Sequence, residues 1–63
     1  MKNFLLEVTG GNYDNIGELF FVQAERMDEV GMVLDENFPD GIEVKLIDVV
    51  DDDAAEAMGY DTF

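Results

Sequence analysis

Residues 25–38, Glu25-Arg26-Met27-Asp28-Glu29-Val30-Gly31-Met32-Val33-Leu34-Asp35-Glu36-Asn37-Phe38, decide the fold because they sort into two faces at the helical period. At about 100° per residue, Met27, Val30, Gly31, Leu34 and Phe38 share an apolar sector, while Glu25, Asp28, Glu29, Asp35 and Glu36 lie opposite. The apolar face predicts a helix packed on a sheet through Met27, Val30, Leu34 and Phe38, with Gly31 permitting a close approach to the strands. The acidic face is the candidate surface for a partner. Asp28, or the backbone near Arg26, is expected to cap the helix start, since acids there complement the positive end of the macrodipole. Pro39 disfavours helix in the residue before it, and Pro39-Asp40-Gly41 supplies a turn.

Working outward from the helix, Glu18–Ala24 alternates as a strand, with Leu19, Phe21 and Gln23 against Phe20, Val22 and Ala24. Asn3–Val8 is a second strand, apolar enough for a central position. Between them Thr9–Gly17 is rich in Gly and Asn and reads as a hairpin loop containing Gly10-Gly11. No helix follows those glycines, so they are a turn and not a phosphate-binding loop. After the turn, Ile42–Val50 forms the third strand, and its alternation slips after Leu46 because Ile47 is also apolar, which predicts a bulge. Asp53 and Glu56 stand at capping-box spacing around a short helix over Ala54–Met58, and Gly59 suits a left-handed cap. Tyr60 and Phe63 are expected to fold back onto the sheet.

The order is strand, strand, helix, strand, short helix. The helix returns the chain so that the third strand pairs antiparallel with the first, giving an α+β fold with a three-stranded antiparallel sheet in spatial order 2-1-3. One domain is expected over residues 1–63, with a core limited to what a chain of this size can bury, about 60% of its unfolded surface.

Sixteen Asp and Glu against three bases, Lys2, Arg26 and Lys45, give a net charge of −13. Self-repulsion on this scale opposes compaction, so added salt should stabilise the fold. A hydrophobic content of 48%, arranged periodically, separates the chain from disordered acidic segments. No apolar run reaches the roughly 20 residues of a membrane span, and the first residues lack a signal-peptide pattern, so a soluble cytoplasmic protein without membrane contact is expected.

The chain has no His, Cys or Ser, which removes the usual general base and nucleophiles and argues against an enzyme. Asp48, Asp51, Asp52 and Asp53 do not follow the spacing of a calcium-binding loop. They read as a solvated helix cap, with at most weak divalent binding, and no metal or other cofactor is expected. Direct nucleic-acid binding is opposed by the charge, because affinity for phosphates comes from Lys and Arg. The same charge suits a protein that itself binds nucleic acid, since its basic surface would be steered onto these carboxylates.

In its length, acidic balance, lack of Cys and His, and acidic stretches Asp28-Glu29, Asp35-Glu36 and Asp51-Asp52-Asp53, the chain resembles small early proteins of bacteriophages. These include DNA-mimic inhibitors of host nucleoid proteins, RNA polymerase, restriction enzymes, uracil-DNA glycosylase and CRISPR effectors. The likeness lies in composition and architecture over the whole chain. It implies an inhibitor that occupies the basic nucleic-acid-binding groove of a host protein in the bacterial cytoplasm. The residues assigned to that contact by position are Glu25, Asp28, Glu29, Asp35 and Glu36, Met32 among them as an apolar filler, and Asp48, Asp51, Asp52 and Asp53 as a second cluster. The alternative is an acidic interaction module that binds its partner outside any nucleic-acid site, through Met32, Tyr60 or Phe63. Charge repulsion favours a monomer, while open edges on the second and third strands leave room for a weak homodimer.

Overall fold

The computed structural model describes residues 1–11 and 15–63. The elements in order are β1 (Lys2–Gly11), β2 (Leu19–Ala24), α1 (Met27–Asn37), β3 (Ile42–Val50) and α2 (Asp52–Met58). The sheet runs β2-β1-β3 with both neighbours antiparallel to β1, which is the α+β arrangement expected from the sequence.

Alternation in β1 divides the core between two faces of the sheet. Phe4, Leu6 and Val8 join Phe20, Val22 and Ala24 of β2 beneath Val30 of α1. Asn3, Leu5 and Phe21 point the other way and are also buried. That second face is covered by α2 and the segment after it. The Asn3 side-chain amide donates to the Asp52 carboxylate at 2.7 Å and to the Val50 carbonyl at 3.4 Å, and the Phe21 and Tyr60 rings lie 6.0 Å apart. A buried amide with both hydrogens engaged thus ties the start of α2 to the central strand. Strand β1 is therefore enclosed by a strand on each side and a helix on each face.

The C-terminus closes the outer edge of β2. Thr62 bridges Phe21 in parallel, with Phe21 N–H donating to the Asp61 carbonyl (2.7 Å), Phe63 N–H to the Phe21 carbonyl (2.8 Å) and Gln23 N–H to the Phe63 carbonyl (3.1 Å). The Phe63 ring meets Phe20 and Phe38 edge-on, each at 5.2 Å, and so joins the tail to both the sheet and the end of α1. Tyr60 and Phe63 do fold back, as expected, and in doing so they remove one of the two strand edges expected to be open. Only the edge of β3 is left unpaired among the described residues.

Several local expectations are corrected. Gly10 and Gly11 do not belong to a hairpin turn; they continue β1 and pair with Glu43 and Ile42 of β3. Gly11 has a φ of +89°, and a Cβ there would lie 2.9 Å from the Gly41 carbonyl oxygen and the Ile42 Cα, so the glycine is needed for the strands to approach. The rest of the predicted loop includes Asn12, Tyr13 and Asp14, which lie outside the described residues. The mouth of the loop is closed by Val8 N–H to the Glu18 carbonyl (2.9 Å) and Gly17 N–H to the Val8 carbonyl (2.8 Å).

The inward face of α1 is rotated from the predicted sector. Val33 packs on the core with Val30, Leu34 and Phe38, whereas Met27 is 49% exposed. Gly31 faces solvent with nothing within 4 Å of an added Cβ, so it makes no close approach to the strands. Phe38 N–H donates to the Leu34 carbonyl at 2.7 Å and ends the helix just before Pro39. In β3 the expected bulge is present: Leu46 faces Leu6 and Asp48 faces Leu5, leaving Ile47 as the extra residue.

With no packing role, Gly31 costs the helix backbone entropy and gives nothing in return. Gly31→Ala should raise stability by about 0.5–1 kcal/mol in urea unfolding. A loss of stability would mean that the glycine is needed for a close approach after all.

Candidate functional site

Five of the six predicted partner-contact residues in and before α1 are exposed, and Glu29 is half-buried. Helical phase divides them into two stripes. Glu25, Glu29, Met32 and Glu36 line one shallow groove together with Met1, Gln23, Ala24 and Val33, with a volume of about 170 Å³. Asp28 and Asp35 lie outside that groove, two turns apart on the next strip of the helix. The groove therefore has an apolar floor at Ala24 and Val33, a Met32 side chain 66% exposed beside it, and three carboxylates around it. Such a site matches the aliphatic stem and charged head of an Arg or Lys side chain.

Glu29 also serves the fold. Arg26 occupies the N-cap position, and its backbone N–H donates to the Glu29 carboxylate at 3.1 Å. Asp28, one of the two caps expected, instead stands 4.0 Å from the Arg26 guanidinium with both side chains 77% exposed, a geometry that contributes little to stability. It is the only ion pair among the described residues.

The second predicted cluster is placed differently. Asp48, Asp51, Asp52 and Asp53 are all exposed, and they belong to the end of β3 and the start of α2. Asp48 accepts from the Val49 N–H at 2.8 Å, Asp51 from the Ala54 N–H at 2.9 Å and Asp52 from the Asn3 amide at 2.7 Å. Of these four, Asp53 alone has no side-chain hydrogen bond to a described residue. The N-cap of α2 is thus Asp51 and not Asp53, so the expected Asp53–Glu56 capping box does not form, and the helix begins two residues earlier than expected. Gly59 takes the left-handed cap conformation with φ 74°, as its position suggested.

Because α1 and α2 cover opposite faces of the sheet, the two acidic clusters do not form one surface. A flat partner can contact one of them at a time. Among the described residues no group of three or more carboxylates is placed to hold a metal ion. A larger open depression of about 350 Å³, lined by Gly17, Glu18, Leu19, Gly59, Tyr60 and Asp61, holds two carboxylates and no basic side chain. Among the described residues no helix is long and apolar enough to cross a membrane.

Nor do similar proteins narrow the assignment: no family model, curated protein or solved structure matches this chain. The site is therefore defined by its own chemistry. Its strongest element is the α1 stripe, where carboxylates surround an apolar groove.

The different duties of neighbouring acids give a direct check. Asp51→Ala should cost about 1 kcal/mol through loss of the cap, while Asp53→Ala should change stability by less than about 0.5 kcal/mol. Equal losses at the two positions in urea titrations would contradict this assignment of the cap.

Proposed function

We propose that this protein is a non-enzymatic acidic inhibitor, of the kind phages encode, which occupies the basic nucleic-acid-binding groove of a host protein. The observation that carries this reading is where the carboxylates stand. The last turn of α1 contains Asp35 and Glu36 and no base, against the negative end of the helix dipole. Each such acid opposes the helix by about 0.3–1 kcal/mol at low salt, so neither is there for the sake of the fold. Sixteen acids meet three bases in the sequence, and the one ion pair between described residues is exposed. The negative field is left for something outside the chain.

The scale of that field is similar to that of a nucleic acid. Duplex DNA carries one charge per about 1.7 Å of axis, or about 18 charges over 31 Å, the longest dimension of the protein. The protein's net −13 over that length is of the same order, on a body 21 Å by 15 Å across. A groove built to surround a duplex has room for such a body. Within this reading the α1 stripe, Glu25, Glu29, Met32 and Glu36, makes the primary contact, flanked by Asp28 and Asp35. The cluster at Asp48 and Asp51–Asp53 adds to the field from the other face and steers approach.

A second reading is favoured by the apolar floor of the groove. Met1, Met32 and Val33 could receive a partner that does not bind nucleic acid, with the carboxylates setting orientation and solubility. The two readings differ in whether DNA competes.

The test is a pull-down from bacterial lysate on the immobilised protein, with rising salt and with excess duplex DNA, followed by two charge-reversal sets against the retained partner. Replacing Glu25, Asp35 and Glu36 with Lys should weaken binding at least about 100-fold. Replacing Asp53, Glu56 and Asp61 with Lys makes the same change in total charge and should weaken binding by less than about tenfold. Displacement of the partner by DNA is expected. A partner that stays bound in excess DNA supports the second reading, and equal losses in the two sets would remove α1 as the contact surface.

A further inference from the structure

The open edge of β3 contains a short sequence that is complementary to itself. Over Ile42-Glu43-Val44-Lys45-Leu46, apolar residues alternate with one acid and one base placed symmetrically about Val44. If two copies of this segment run antiparallel with Val44 opposite Val44, each Lys45 faces the other copy's Glu43, and each Leu46 faces the other copy's Ile42. We infer that β3 pairs with β3 of a second copy in this register, joining two sheets through a two-fold axis at Val44. The inference is independent of what the acidic faces bind.

Four observations support this assignment. The outer edge of β2 is already taken by residues Asp61–Phe63, so β3 offers the one unpaired edge among the described residues. Leu46 lies opposite Leu6, on the face of the sheet that α1 covers, yet it remains 42% exposed because the helix sits toward β2. Pairing would cover it with Ile42 of the second copy. Lys45 is one of three bases in an acidic chain, and among the described residues it makes no ion pair. Beyond Leu46 the bulge at Ile47 interrupts the strand, and the Val49 N–H is met by the Asp48 carboxylate, which confines regular pairing to the symmetric segment.

In the single chain the Glu43 carboxylate lies over Gly10, whose missing Cβ leaves it room. Pairing requires that side chain to turn toward the second copy's Lys45, a rotamer change open to an exposed Glu. Against the pairing stands the repulsion of two bodies at −13 each, which acts at long range and is screened by salt. The dimer should therefore be weak at low ionic strength and stronger as salt is raised toward about 0.3 M.

A pair of complementary charge variants separates this register from any general effect of charge. Glu43→Lys places like charges opposite each other in the homodimer, and so does Lys45→Glu. Mixed together, the two variants restore opposite charge at both contacts. Sedimentation equilibrium at about 0.3 M salt, over protein concentrations up to about 1 mM, should show wild type rising from 7.1 kDa toward twice that mass. Each variant alone should remain at 7.1 kDa, and the equimolar mixture should dimerise as wild type does. Glu43→Lys reduces net repulsion, so if net charge alone governed association it would dimerise more readily than wild type. The inference is overturned if wild type stays monomeric throughout, or if the variants associate alone as well as they do mixed. It is also overturned if the mixture remains monomeric while circular dichroism shows both variants folded.

Discussion

The enclosure of β1 is the constraint on which the rest depends. Phe4, Leu6 and Val8 require cover on one face and Asn3 and Leu5 on the other, so a three-stranded sheet in so short a chain must carry a helix on each side. The long helix α1 covers one face with Val30, Val33 and Leu34. The other face is left to a helix of seven residues, which is too short to hold itself and is fixed by the Asn3–Asp52 hydrogen bond and the Asp51 cap. The tail then completes β2 and places Phe63 against Phe20 and Phe38. Each of these additions is small, and each depends on a central strand that is buried over Asn3–Leu6 and at Val8.

The acidic surface must be understood against that economy of structure. Some carboxylates are part of the fold: Asp51 caps α2, Asp52 holds Asn3, and Glu29 accepts from the N–H of Arg26, the N-cap of α1. Others oppose it, as Asp35 and Glu36 do at the end of a helix without a compensating base. A domain whose described residues include nine buried hydrophobic side chains has little stability to set against repulsion. Retaining the opposing acids fits a surface shaped by a partner more than by the chain itself. The acids divide between two faces, and the groove beside α1 is where charge and apolar area occur together, which is why the proposed function is placed there.

Much of the architecture is written in local pattern. The bounds of β3 follow from alternation, its bulge from the break at Ile47, the end of α1 from Pro39, and the strand order from the direction in which one helix returns the chain. The parts that escape local pattern depend on distant partners. A Gly-Gly pair signals a turn when viewed alone, and only pairing with Ile42 and Glu43 keeps Gly10 and Gly11 in a strand. Met27 and Val33 are both apolar and flank Val30 in helical phase, so the sheet's position decides which is buried. Three consecutive Asp residues offer three possible caps, and the Asn3 amide selects among them by engaging Asp52. The tail pairs through backbone groups, which three residues of sequence do not disclose. For the candidate site, the sequence identifies the acids but not their separation onto two faces, because that separation is made by the sheet between them.

The central claim is that Asp35 and Glu36, at the negative end of the α1 dipole, are kept against the interest of the fold. The most direct measurement is the thermal melting of a variant in which Asp35 and Glu36 are replaced by their amides, leaving the first-turn acids Asp28 and Glu29 intact, at low and at high salt. The account predicts a melting temperature above that of wild type at low salt, with the difference shrinking as salt is added. A variant that melts below wild type under both conditions would show that these carboxylates hold the structure together, and would contradict the account.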